Sequence, residues 1–147
     1  MTKKEELDYN INHKPLIKGI GTGMGAYAIL NSIPWVVANP HALQIATVLL
    51  TGGLTYEFLM KMLDQIKINK SLIEKNKLKD IKDISAWSFN SGLFGMASAM
   101  SLLSMINNPT NYIELFVLLL SAGFFVPTYI HLKKDIQTNK DIIQKIR

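Results

Sequence analysis

The stretch IELFVLLLSAGFFVPTYIHL, residues 113–132, carries a single carboxylate, Glu114, at its outer edge and no other charge at neutral pH. A helix needs roughly 20 apolar residues to cross a hydrocarbon core of about 30 Å, and this run has that length. A helix of a soluble protein keeps one face polar; this one has no wet face. Lys133 and Lys134 follow it directly. The spacing therefore predicts a membrane-spanning helix stopped by a basic, cytoplasmic boundary.

Three more runs lie upstream. Residues 19–37 and 86–106 hold no charged residue, and residues 42–60 hold only Glu57. Backbone amides have no water partners inside a bilayer, so each run is expected to be helical. The predicted architecture is an all-α membrane protein of a single domain, residues 1–147, with four transmembrane helices. A cytoplasmic loop, 61–85, and a tail, 133–147, complete it. The chain-wide averages conceal this, because 48% hydrophobic residues is ordinary; the signal is the segregation of apolar from charged residues.

Charge sets the expected orientation. All 16 Lys and Arg residues fall in 1–18, 61–85 or 133–147, and none falls in the short connections 38–41 and 107–112. The positive-inside rule places both termini and the 61–85 loop in the cytoplasm of a cell-membrane protein. Trp35 and Tyr112 then fall near the outer boundary and Trp87 near the inner one, as interfacial aromatics do. Asn39-Pro40 and Asn108-Pro109 mark the outer turns. The net charge of +5 is accounted for by this anchoring, and no nucleic-acid partner is expected. No cleavable signal sequence is visible ahead of the first run.

The halves resemble each other. At an offset of 70, Thr51-Gly52-Gly53 meets Ser121-Ala122-Gly123, Ile66 meets Ile136, Asn69-Lys70 meets Asn139-Lys140, and Ile73 meets Ile143. With a two-residue adjustment upstream, Gly23-Met24 meets Gly95-Met96. This reads as a tandemly duplicated helical hairpin whose halves point the same way, related by an axis along the membrane normal. Met62, Ile66, Asn69, Ile73 and Asn76, and likewise Leu132, Ile136, Asn139, Ile143 and Ile146, follow 4-3 spacing. Spans two and four are therefore expected to continue as cytoplasmic helices that pair, with Asn69 and Asn139 at matched core positions that set register.

Gly19, Gly21, Gly23 and Gly25 give two overlapping Gly-x-x-x-Gly pairs in the first span, answered by Gly95 and the Ser and Ala residues of the third. Small residues let helices approach closely in lipid. They are expected at a helix contact, whether within one bundle or at an oligomer face. Polar candidates inside the spans are Glu57, Asn31 and Ser98. Intramembrane carboxylates are ion or proton sites by default, but Lys61 stands one turn beyond Glu57 and favours a structural i,i+4 pair.

No cysteine is present, the three histidines are scattered, and no acidic cluster or nucleophile motif stands out. No catalytic site, metal or cofactor is expected. Lys82-Asp83-Ile84-Ser85 followed by the last two spans resembles the latter part of a SemiSWEET or PQ-loop sugar-transporter unit. The chain departs from that pattern in lacking the Pro-Gln pair and in repeating two spans rather than three, so no site residues carry over. The leading functional expectation is a non-enzymatic component that forms homo-oligomers in the lipid bilayer and forms or regulates a permeation path. The alternative is an immunity, defence or assembly subunit that binds a protein partner, its cytoplasmic helices included.

Overall fold

The computed structural model describes residues 2–38 and 41–146. Every regular element among them is helical: α1 (Lys3–Asp8), a π-helical turn (Tyr9–His13), α2 (Lys14–Ala38), α3 (Ala42–Lys75), α4 (Ser85–Asn107) and α5 (Tyr112–Gln144). Helices α3, α4 and α5 are long and apolar enough to cross a membrane. Helix α2 has 25 residues and is uncharged from Gly19 onward, its glycines diluting its hydropathy. The expected Asn39-Pro40 turn and the Trp35 side chain lie outside the described residues.

The surface is inverted relative to a soluble protein. Leu43, Leu49, Leu50, Ile106, Ile113 and Phe116 are all more than 60% exposed, whereas Thr22, Ser88, Ser101 and Ser121 are each at most 5% exposed. Water would penalise so extensive an apolar exterior, whereas lipid tails solvate it and leave small polar groups to pack between helices.

The long helices form an open row in the order α3, α2, α4, α5, with extensive contact only between neighbours. The four helices expected from the sequence thus lie side by side, each in contact with the next. The reason lies in α4 and α2, whose glycines and serines let these two helices come together at the middle. The bulkier α3 and α5 are left at the two ends.

Below the apolar region, α3 and α5 each continue as one unbroken helix, as their spacing predicts. They do not pair with each other. The N-terminal segment lies between them, and Leu7, Ile11, Leu78 and Ile143 form a buried cluster there, with Ile73, Ile81 and Ile146 against it. Thr2 starts this segment with a capping box: its hydroxyl accepts from the Glu5 amide and Glu5 accepts from the Thr2 amide, which satisfies two otherwise orphaned donors. Helix α3 ends on Asn76 with Lys77 at φ 51°. The Leu78 amide reaches back to the Ile73 carbonyl at 2.9 Å. That is a Schellman closure, with a lysine in the left-handed region usually given to glycine. Burial of Leu78 in the apolar cluster offsets the local backbone cost of about 1–2 kcal/mol.

Candidate functional site

Two constructions stand out: a backbone-to-backbone crossing inside the apolar region, and a buried polar clasp below it.

The crossing joins α2 to its neighbours on both sides. Gly19 faces Ser88 and Phe89, and Gly23 faces Phe89, Gly92 and Leu93, all on α4. A methyl carbon on Gly23 would lie 2.6 Å from the Leu93 amide nitrogen, and one on Gly92 would lie 2.8 Å from Ile20 Cα. Gly21 and Gly25 point the other way, to Phe58 and Thr55 of α3, and Gly95 packs on the Phe125 ring of α5. The five glycines singled out from sequence are thus all consumed within one chain. Gly52, Gly53 and Gly123, on the end helices, have no atom within 4 Å of an added methyl.

Several hydroxyls inside the row are also engaged, though those of Ser85 and Ser91 have no partner. Ser88 donates to the Ile84 carbonyl at 2.7 Å, Thr22 to Lys18 at 2.8 Å and Thr128 to Phe124 at 2.7 Å. Ser98 Oγ sits 2.9 Å from both the Phe94 carbonyl and Ser121 Oγ, tying α4 to α5. Asn31 is exposed, at an open notch between α2 and α3 that Gln44 and Thr47 also line. Glu57 and Lys61 form the expected i,i+4 pair, each side chain more than half exposed. Glu57, Asn31 and Ser98 are therefore not brought together into one site. Such an exposed pair contributes only about 0.2–0.5 kcal/mol. Glu57→Gln is expected to leave the midpoint of thermal unfolding in detergent within a degree or two of the parent. A larger drop would make Glu57 a structural keystone instead.

The clasp is built from amides that the N-terminal segment shares with α3, α5 and the 76–84 loop. Asn139 is fully buried. Its Nδ2 donates to Asn12 Oδ1 at 2.9 Å and to the Lys82 carbonyl at 3.0 Å, while its Oδ1 accepts from the Lys82 amide at 2.8 Å. Every hydrogen-bonding atom of one side chain is thereby satisfied, as burial demands. Asn12 in turn donates to Asp8 at 2.7 Å, and Asp8 lies 3.3 Å from His13 Nε2. On the other side Gln65 donates to the Asn10 carbonyl at 3.1 Å and to Asn69 Oδ1 at 2.9 Å.

Pro15 explains the Gln65 contact. In the π register the Lys14 amide bonds the Tyr9 carbonyl, so the next acceptor, Asn10, would receive the amide of residue 15. Proline has none, and the Gln65 side chain supplies the missing donor. Lys18 donates to Gln65 Oε1 at 3.2 Å; partial burial, then the neighbouring Lys14 ammonium, holds its amine below the usual lysine range.

The expected Asn69–Asn139 pairing is corrected here. Asn139 is buried and binds Asn12 of the N-terminal segment, whereas Asn69 is half-buried and accepts from Gln65 of its own helix. The 4-3 spacing located the face and could not say what would fill it. Asn10, Asn12 and Gln65 escaped notice in the sequence, although Thr2-x-x-Glu5 and the i,i+4 pair Leu7 and Ile11 signal a capped amphipathic helix. Comparison with protein families, curated proteins and solved structures finds no match to this chain.

Proposed function

We propose that the chain is a four-span integral membrane protein, both ends cytoplasmic, that acts without enzymatic chemistry as an assembly subunit. In this reading α3 and α5 are the faces on which further helices dock. One observation carries it: the glycines of α2 and α4 are used up in packing, while Gly52, Gly53 and Gly123 on the end helices meet nothing. In lipid, glycine on an outer face has a use where another backbone comes close.

Helix α2 is read as the fourth span because α3 and α4, both of spanning character, enclose it. The duplication is supported by the register of contacts. Gly19 meets Phe89, Gly23 meets Leu93, and the Gly25–Thr55 contact is matched by Gly95–Phe125, each at the offset of 70 without adjustment. Contacts between a residue and its own counterpart fall on a two-fold axis, here between the parallel helices α2 and α4 along the membrane normal.

A permeation path is the second reading. It would form between copies, across the same glycine-bearing faces, since Gly52, Gly53 and Gly123 leave room there for another helix.

Topology is checked with single cysteines, the chain having none of its own. Cysteines at Lys79, Asn108 and Gln144 are to be labelled from outside intact cells. Only the Asn108 site should react; labelling at Lys79 would refute the orientation. Assembly is checked with Gly53→Cys and Gly123→Cys, which should crosslink to a second polypeptide in native membranes. Purified chain alone in liposomes should pass no ions above background. Uncrosslinked monomer at both positions would remove the assembly reading, and robust flux would favour the permeation path.

A further inference from the structure

The two end helices carry corresponding surfaces at corresponding heights. The buried residues Met62 and Gln65 mark the side of α3 turned toward the rest of the chain, and Leu132 and Asn139 mark that side of α5. Gly53, Met60 and Asp64 lie on the opposite side of α3, and Gly123, Ile130 and Lys134 on the opposite side of α5, all of them exposed. These are counterparts at the offset of 70. The α2–α4 crossing keeps the same offset, Gly19 with Phe89 and Gly23 with Leu93, so residues 70 apart stand at one depth.

The two surfaces agree in size and oppose in charge. Asp64 and Lys134 carry opposite charges three turns, roughly 16 Å, below Gly53 and Gly123. Lys67 and Asp141 make a second opposite pair on the same sides, one turn apart in depth and within reach of a lysine stem. Asp64 pairs with Lys67 of its own helix at 3.6 Å, both side chains more than half exposed. Lys134 is exposed and forms no ion pair among the described residues.

Resting on the assembly reading above, we propose that the partner is a second copy of this chain, its α5 docked in parallel against α3. Gly53 then faces Gly123, and Asp64 faces Lys134. In the orientation argued above, α3 and α5 of every copy run from the outer side inward, so a lateral neighbour presents its counterpart residues in parallel and at the same depth. Glycine against glycine lets the two backbones close, as small residues do in lipid, and the charged pair below the apolar region selects the partner. The other pairings between copies lose that selection. Helix α5 against α5 sets Lys134 on Lys134, and α3 against α3 sets Asp64 on Asp64, and facing like charges suppress such contacts. The contact is heterologous, so a pair of copies still has one free α3 and one free α5, and copies add in series.

The test uses two differently tagged full-length copies, one with Gly53→Cys and the other with Gly123→Cys, co-expressed and oxidised in native membranes. The disulfide joining unlike tags should dominate those joining like tags. Asp64→Lys alone, or Lys134→Glu alone, introduced into both copies, should lower its yield about fivefold, as one exposed attraction becomes a repulsion. The two substitutions together restore opposite charges and should restore the yield, which also separates lost docking from misfolding. For Gly53→Cys expressed by itself, a photoreactive group tethered to the thiol should capture α5 of a second copy. Capture only of a different protein would overturn this proposal and leave the assembly reading standing, whereas capture of nothing would remove both. Like-tag disulfides as abundant as mixed ones, or a double variant as weak as either single variant, would overturn the proposal as well.

Discussion

Gly23→Leu is expected to separate α2 from α4 and to abolish stable folding of the row. Even the first carbon of a side chain at that position would collide with the Phe89 carbonyl oxygen and come within 2.6 Å of the Leu93 amide nitrogen. Those atoms belong to the backbone of a hydrogen-bonded helix and cannot turn aside as a side chain can. Overpacking against movable side chains costs about 1–3 kcal/mol, and this substitution should exceed that range. Gly92→Leu should match it, because the same crossing is met from the α4 side at Ile20. Gly21→Ala provides the graded comparison: its new methyl would meet the Phe58 ring at 2.9 Å, and a ring can rotate. Gly53→Ala meets nothing within 4 Å and should be neutral or, through helix propensity, stabilising by up to about 1 kcal/mol. The measurement is the midpoint of thermal unfolding in detergent, read by helical circular dichroism. The order expected is Gly53→Ala at or above the parent, Gly21→Ala slightly below, and Gly23→Leu without a cooperative transition. A parent-like transition for Gly23→Leu would mean that α2 and α4 do not cross at glycine.

The order of the helices was partly written in the glycines. Residues two apart on a helix are rotated by about 200°, so the pair Gly19 and Gly23 and the pair Gly21 and Gly25 occupy opposite faces. No single neighbour can meet both, and a helix carrying both must be packed on two sides, which is the place α2 holds. The apolar runs and the basic blocks likewise carry the spans and the continuation of α3 and α5 below them, because hydropathy and helical period are properties of consecutive residues. The clasp was less accessible. Asn12 and Asn139 lie 127 positions apart, and an asparagine at a seam position announces a polar contact without naming its partner. The 3–13 segment is short and strongly charged, and its charge marked a side of the membrane without marking a helix that docks. Its docking depends on Leu7 and Ile11 finding Leu78 and Ile143, which no local pattern specifies. The π turn is equally non-local in its reason: Pro15 creates an unpaired carbonyl, and Gln65 of another helix answers it.

Asn139→Asp should release the N-terminal segment and the 76–84 loop together while leaving the helices of the apolar region intact. The substitution preserves shape but replaces an amide that donates twice, to Asn12 Oδ1 and to the Lys82 carbonyl, with a second acceptor. Two acceptors would then face an ionised oxygen in a site with no solvent exposure. A buried, unpaired charge is more costly than a lost neutral hydrogen bond, which by itself leaves an unsatisfied group worth about 1–3 kcal/mol. Asn139→Ala should fall in that lower range, stranding the Lys82 backbone and Asn12 without adding a charge. The distinguishing variable is pH. Desolvation and the two facing acceptors both raise the carboxyl pKa of the introduced aspartate in the folded state. A carboxyl raised by folding disfavours the native state while ionised, so the defect should be greatest near neutral pH and should shrink on acidification, when one proton restores one donor. Amide hydrogen exchange resolved by peptide is the readout. Leu7, Ile11 and the 76–84 loop should lose protection in Asn139→Asp at neutral pH and regain part of it under acid conditions, after correction for intrinsic exchange. Asn139→Ala should lose less and show no such recovery. Because both segments hang on the same side-chain amide, they should open as one unit, and independent loss of protection in the loop alone would show that the clasp does not hold the N-terminal segment in place.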